Sequence, residues 1–132
     1  MQGVTLGHAL AVAGGAAAGA LLRWVAGLWL NGTWSGFPLG TLLVNLVGGL
    51  CIGIAMVWFM RTPDETLRLL LVTGFLGGLT TFSAFSGESL ALLQRGHLGL
   101  AAAHALVHVA GSLASAAAGF HLARSWWGGP VV

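Results

Sequence analysis

The chain has 132 residues, 57% of them apolar and only 6% charged, against about 25% charged residues in a soluble domain. A chain this short buries only about 60–70% of its surface on folding, so the apolar excess excludes a soluble globule and calls for the bilayer as solvent. The basic excess comes from five scattered arginines, Arg23, Arg61, Arg68, Arg95 and Arg124, not from the clustered patch that nucleic acid requires, so no nucleic-acid partner is expected.

Polar punctuation divides the chain into apolar runs. A spanning helix takes about 20 residues, so spans at about 7–30, 37–60, 67–93 and 98–123 use up residues 1–132 as a single transmembrane domain surrounded by lipid. Helix is the only practical choice, since a barrel strand is shorter and alternates in polarity. The first run has no basic stretch ahead of it and is read as a span rather than a cleaved signal. It carries Gly15 and Gly19 at four-residue spacing and one charge, Arg23, and ends at Asn31-Gly32-Thr33-Trp34-Ser35-Gly36. Arg23 either snorkels towards the interface near Trp29 or supplies positive potential at the mouth of an anion path.

The second run places Thr41, Asn45 and Gly48 on one face, repeats small residues at Gly49 and Gly53, and ends at Arg61-Thr62-Pro63-Asp64-Glu65-Thr66. Asn45 is an amide deep in an apolar stretch. It suits a hydrogen bond across helices, or it offers N–H donors to an anion. Cys51 has no partner for an intrachain disulfide and reads as a small packed hydrophobe.

The third run is the most unusual. Gly77-Gly78 followed by Thr80-Thr81 joins poor helix formers to β-branched residues in mid-span, and a helix break is expected there. Carbonyls freed at membrane depth are tolerated only when buried in protein or bound, and a cation is their natural partner. The plainer alternative is a kink satisfied by threonine hydroxyls. Phe82 and Phe85 share a face with Ser86 and Ser89. They either pack against lipid and protein or present electropositive ring edges to an anion that must be held weakly to pass. Glu88, one turn on, reads as a pore-mouth polar group or an ion-pair partner.

The fourth run follows Gln94-Arg95-Gly96-His97 and carries a stripe of His104, His108 and Ser112, with Ser115 one turn on, besides small residues at Gly111, Ser115 and Gly119. Paired histidines at this spacing hold a metal or ligate haem, but one helix alone supplies too few ligands. A polar stripe facing a wet path or a neighbouring helix is the simpler expectation. Trp29, Trp34, Trp58, Trp126 and Trp127 fall near or just beyond the run ends, where amphipathic rings favour headgroup level. Four spans return both termini to one side, with Arg61, Arg68 and Arg124 there and Arg95 and Arg23 nearer the other. That is a poor orientation signal and suggests insertion both ways round.

The segment Gly74-Phe75-Leu76-Gly77-Gly78-Leu79-Thr80-Thr81-Phe82-Ser83, with Phe85 and Glu88 after it, resembles the signature of the Fluc/CrcB fluoride channels. Gly15 through Gly19 to Arg23 resembles the family's glycine-rich first helix with its arginine. Pro38-Leu39-Gly40-Thr41-Leu42-Leu43-Val44-Asn45-Leu46-Val47-Gly48-Gly49 is similar to its second-helix motif. The resemblance implies an all-α membrane protein of four transmembrane helices, the third broken mid-membrane. It implies an antiparallel, dual-topology homodimer with two fluoride pores in the inner cell membrane. Phe82 and Phe85 would touch fluoride with their ring edges and Asn45 would donate to it. The backbone carbonyls of Gly77 and Thr80 would hold one structural Na⁺ shared by both subunits. Thr41, Ser83, Glu88 and Ser112 would belong to the polar lining, with Arg23 as the vestibule charge. This chain departs from the family in placing His104 and His108 on the pore-side stripe of the fourth helix. Lining the path, they would make conduction depend on pH.

The implied function is passive exit of cytoplasmic fluoride, without catalysis or an organic cofactor. No nucleophile–base pair or ATP motif occurs in the sequence, and its glycine-rich stretch lacks the lysine of a P-loop. Two rival readings carry less weight. A small dual-topology multidrug exporter needs a buried carboxylate in its first helix, where this chain has Arg23 and no acid. A non-transporting haem anchor would rest on His104 and His108 and show a Soret band.

Overall fold

The computed structural model describes residues 3–34 and 36–128; Ser35 of the first turn and Gly129 and Pro130 of the tail lie outside the described residues. Four helical runs are each long and apolar enough to cross a membrane, and no strand occurs among the described residues. The chain is a multi-pass membrane protein. Helix α1 spans Leu6–Leu30 and opens on Thr5, whose Oγ1 accepts from the His8 N–H at 3.1 Å. That satisfies one of the donors a helix start leaves unpaired. Helix α2, Leu39–Arg61, follows Pro38 directly.

The third run is not one regular helix. Its first half, α3, covers residues 65–79. It begins as an α-turn over Glu65–Arg68, widens to π-helical geometry over Leu69–Leu76 and closes with Gly77–Leu79. Asp64 caps it, accepting from the Leu67 N–H at 2.9 Å. Thr80 and Thr81 are extended, and α4 resumes at Phe82–Gln94 with Thr81 as its cap. The interruption thus falls at the threonines, while Gly77 and Gly78 stay helical. The reason is packing: Gly78 lies against the backbone of Ala16, where a Cβ has no room. The chain then turns through Gly96 at φ +77°, and His97 N–H reaches back to the Leu92 carbonyl at 3.0 Å, a glycine-terminated helix end. Helix α5 runs Leu98–Trp127. It continues beyond the expected stop near Ala123, so Trp126 and Trp127 are helical, and Trp127 packs edge-on against Trp58 at 5.3 Å.

Small residues decide which helices pair. A Cβ on Gly15 would run into the Leu70 carbonyl and one on Gly19 into the Phe75 carbonyl, so α1 lies flush on α3. Likewise a Cβ on Gly53 would meet the Ala116 carbonyl and one on Gly119 the Leu50 carbonyl, which joins α2 to α5. A Cβ on Gly49 would meet the Ser112 carbonyl as one on Gly53 meets that of Ala116, so in both pairs the register rises together and the close pairs are parallel. Such backbone approach is the main source of helix association where lipid gives no hydrophobic drive. The four-residue glycine stripes therefore act within the chain. Val44, Leu76 and Leu79 form the buried cluster beside the interruption.

Candidate functional site

The polar groups at the interruption can be accounted for one by one, as burial away from water requires. Asn45 acts as a splint. Its Oδ1 accepts from the Thr81 N–H at 2.8 Å and its Nδ2 donates to the Thr81 carbonyl at 3.1 Å. Arg23 donates from Nε to the Gly78 carbonyl at 2.9 Å. The Thr80 hydroxyl and N–H both bond the Leu76 carbonyl, at 2.8 and 3.0 Å. The Ala84 N–H bonds Thr81 Oγ1 at 3.1 Å. A continuous helix would pair the Gly77 carbonyl with Thr81 N–H and the Thr80 carbonyl with Ala84 N–H. Both donors are taken by side chains instead. Gly78 and Leu79 lose theirs at the same break, and Arg23 answers the Gly78 oxygen. Gly77 and Thr80 are thus among the residues whose oxygens have lost their helical donors, and backbone oxygens of this kind suit a hard cation.

A groove of about 600 Å³ opens beside the interruption. Of the residues singled out from sequence, Asn45, Gly77, Thr80, Phe82, Phe85, His108 and Ser112 line it. Phe82 stands 76% exposed on the protomer surface. Phe85 lies 5.3 Å from it and is flanked on its other sides by His104, stacked at 5.3 Å and 13°, and His108 at 4.8 Å. Gly48 makes room for the extended segment, because a Cβ there would strike the Thr80 methyl.

Behind Phe85 is a second polar cluster. The Thr41 hydroxyl donates to Glu88 Oε1 at 2.5 Å, and Thr41 is itself held by Asn31, which accepts from its N–H at 3.1 Å. Glu88 Oε2 sits 3.3 Å from His104 Nε2, at an angle that makes no hydrogen bond. Glu88 Oε2, His104 Nε2 and His108 Nε2 are the buried side-chain atoms without a hydrogen-bond partner among the described residues. On the opposite ring atoms, His104 Nδ1 pairs with Ser89 Oγ and His108 Nδ1 with the His104 carbonyl, both at 3.0 Å.

The sequence-predicted residues thus fall into three places. Seven line the groove, and Thr41, Glu88 and His104 gather behind Phe85 with His108 shared between the two. Ser83 and Arg23 belong to neither. Ser83 pairs with Thr81 Oγ1 at 3.1 Å and is exposed. Arg23, half-buried, ties α1 to the end of α3 through its Nε. The stripe on α5 faces α4, and His104 is 0% exposed, which leaves no face for a porphyrin. Three partners went unnoticed as site residues: Asn31, Thr81 and Ser89. Thr81 carried a readable signal as a threonine ahead of a helix start; Asn31 read only as a turn residue.

Comparison with known proteins places the chain among named relatives. A model of the CrcB-like protein, camphor resistance (CrcB) family matches residues 10–120. The chain is 54% identical over 121 residues to a fluoride-specific ion channel FluC of Aromatoleum aromaticum, covering 90% of this chain and 92% of that one. It is 58% identical over 106 residues to the fluoride-specific ion channel FluC of Pseudomonas aeruginosa, covering 79% and 84%. It is 52% identical over 118 residues to that of Bordetella petrii, covering 88% and 91%.

Proposed function

The chain belongs to the CrcB-like family, and from that premise we propose that it is a fluoride-selective channel letting cytoplasmic fluoride out passively across the inner membrane. The observation that carries this reading is the pair Phe82 and Phe85 on a groove beside an interrupted span, in a chain similar to named fluoride channels. Fluoride is small and strongly hydrated, so a selective path replaces water with donors and positive ring edges. Asn45 spends one amide N–H on Thr81 and keeps a second. Ser112 adds a hydroxyl to the same groove. The aromatic edges attract weakly, which permits release. Thr41 and Glu88 adjoin this path through Phe85 and His108, Ser83 pairs with the Thr81 hydroxyl beside it, and Arg23 with the Gly78 carbonyl.

The carbonyls of Gly77 and Thr80 would hold a structural Na⁺, which would supply a fixed positive charge near an anion path. Two oxygens from one protomer are too few to enclose a hard cation, which binds several oxygen ligands at once. A second copy packed antiparallel would double the set and cover the exposed Phe82. The homodimer therefore completes both the cation site and the second wall of the groove.

Efflux from liposomes tests the function. Wild-type protein is expected to release fluoride and retain chloride, and Phe82→Ile to slow fluoride at least tenfold while the protein stays folded. Fluoride release no faster than from empty liposomes would end this reading.

A further inference from the structure

We propose that Glu88, His104 and His108 form a binding site for a divalent transition-metal ion of the Zn²⁺ class inside the protomer. Sequence offered two histidines on one helix; the fold adds a carboxylate from another. One potential ligand atom from each of the three lies within 4.8 Å of the other two. An ion with ligands at about 2.0–2.1 Å in tetrahedral array has donor–donor edges of about 3.3 Å. The Glu88 Oε2 to His104 Nε2 separation is 3.3 Å. His108, with a ligand atom within 4.8 Å of both others, supplies the third corner.

Three features distinguish this from an ordinary buried ion pair. The 3.3 Å contact lacks hydrogen-bond geometry, so the pair does not satisfy itself. Each free atom belongs to a group whose other atom is anchored: Ser89 on His104, the His104 carbonyl on His108 and the Thr41 hydroxyl on Glu88. Such outer partners fix ring orientation and leave Nε2 to bind. The donor set, two imidazoles and one carboxylate with a position left open, is the one borderline divalent ions prefer. His104 and His108 are 0% and 4% exposed, and His108 borders the groove, which gives an ion its way in. An ion here lies beside Phe85, where its charge would hold fluoride rather than pass it. That last consequence rests on the channel reading; the site does not.

Tag-free protein in detergent, stripped by chelator, is titrated with Zn²⁺ by calorimetry and with Co²⁺ by visible absorption. One ion per protomer is expected, with tetrahedral Co²⁺ bands. His104→Ala and His108→Ala are expected to abolish both signals, while His121→Ala and Cys51→Ser keep them. Thr41→Val retains every donor and is expected to weaken binding about tenfold, which covers the case in which a histidine variant does not fold. Stoichiometric binding that survives both histidine changes, or none in wild type, overturns the proposal. Zn²⁺ is further expected to slow fluoride efflux from wild type but not from His108→Ala. Protein that conducts fluoride and binds no Zn²⁺ defeats the metal site alone; stripped protein that binds Zn²⁺ and conducts nothing defeats the channel reading alone.

Discussion

Replacing Asn45 tests whether one amide holds the interruption in place. Asn45→Ala removes two hydrogen bonds at once, to the N–H and the carbonyl of Thr81. Side-chain hydrogen bonds inside membranes average about 0.6 kcal/mol, so the loss is at least about 1 kcal/mol. A buried backbone group left unpaired costs about 1–3 kcal/mol, and two are exposed here. Thr81 lines the groove, where water re-pairs part of what is lost, so we expect destabilisation of about 1–3 kcal/mol. The measurement is reversible unfolding in mixed micelles against rising denaturing detergent, followed by helical signal. Asn45→Asp sharpens the test. It keeps the shape and the acceptor for Thr81 N–H but opposes an oxygen to the Thr81 carbonyl. At neutral pH it is expected to be no more stable than Asn45→Ala. An aspartate variant with wild-type stability and fluoride efflux would refute the splint.

Other changes address neighbouring parts of the argument. Gly48→Ala drives a methyl into the Thr80 side chain and is expected to cost about 1–3 kcal/mol by overpacking and to slow fluoride efflux; adding Thr80→Ser, which deletes the opposing methyl, should restore both, and a double variant no better than the single one would count against it. Gly53→Ala meets the Ala116 carbonyl and should lower the unfolding midpoint by the equivalent of about 1–3 kcal/mol, whereas Gly14→Ala, with open space at its Cβ, should be neutral or slightly stabilising; equal effects of the two would undo the packing account. Side-specific reporters on each terminus are expected to find the chain in both orientations, and a single strict orientation would rule out antiparallel pairing.

Much of the architecture was legible because membrane burial is written in composition. The four apolar runs, the paired stripes at Gly15 and Gly19 and at Gly49 and Gly53, and an interruption near Thr80-Thr81 all follow from local rules. What escaped depends on contacts remote in sequence. The Gly77-Gly78 pair looked like the breaker by propensity, yet tertiary packing against Ala16 keeps it helical. The π-helical geometry of Leu69–Leu76 leaves no mark in a stretch made largely of leucine and other apolar residues. Arg23 meets a carbonyl 55 residues away, and Thr41 meets Glu88 across 47; neither spacing has a periodic signature. Asn31 reaches Thr41 over only 10 residues, but through a turn whose shape its sequence does not dictate.

The same accounting explains where ions would belong. In hydrocarbon every interrupted backbone group needs an answer, and three answers are internal: Asn45 for Thr81, Arg23 for Gly78, and the Thr80 hydroxyl and N–H for Leu76. The oxygens of Gly77 and Thr80, with that of Leu79, and the free atoms of Glu88, His104 and His108 are among the groups these answers leave over. An oxygen or an unprotonated ring nitrogen accepts and cannot hold fluoride; it holds a cation or a proton. The remaining amide N–H of Asn45, the Ser112 hydroxyl and the rims of Phe82 and Phe85 have the opposite polarity and border one groove. Gly77, Thr80 and His108 border that groove too, so a cation held by such acceptors would act as a fixed charge beside the route, while the weak donors would be left for an anion in transit.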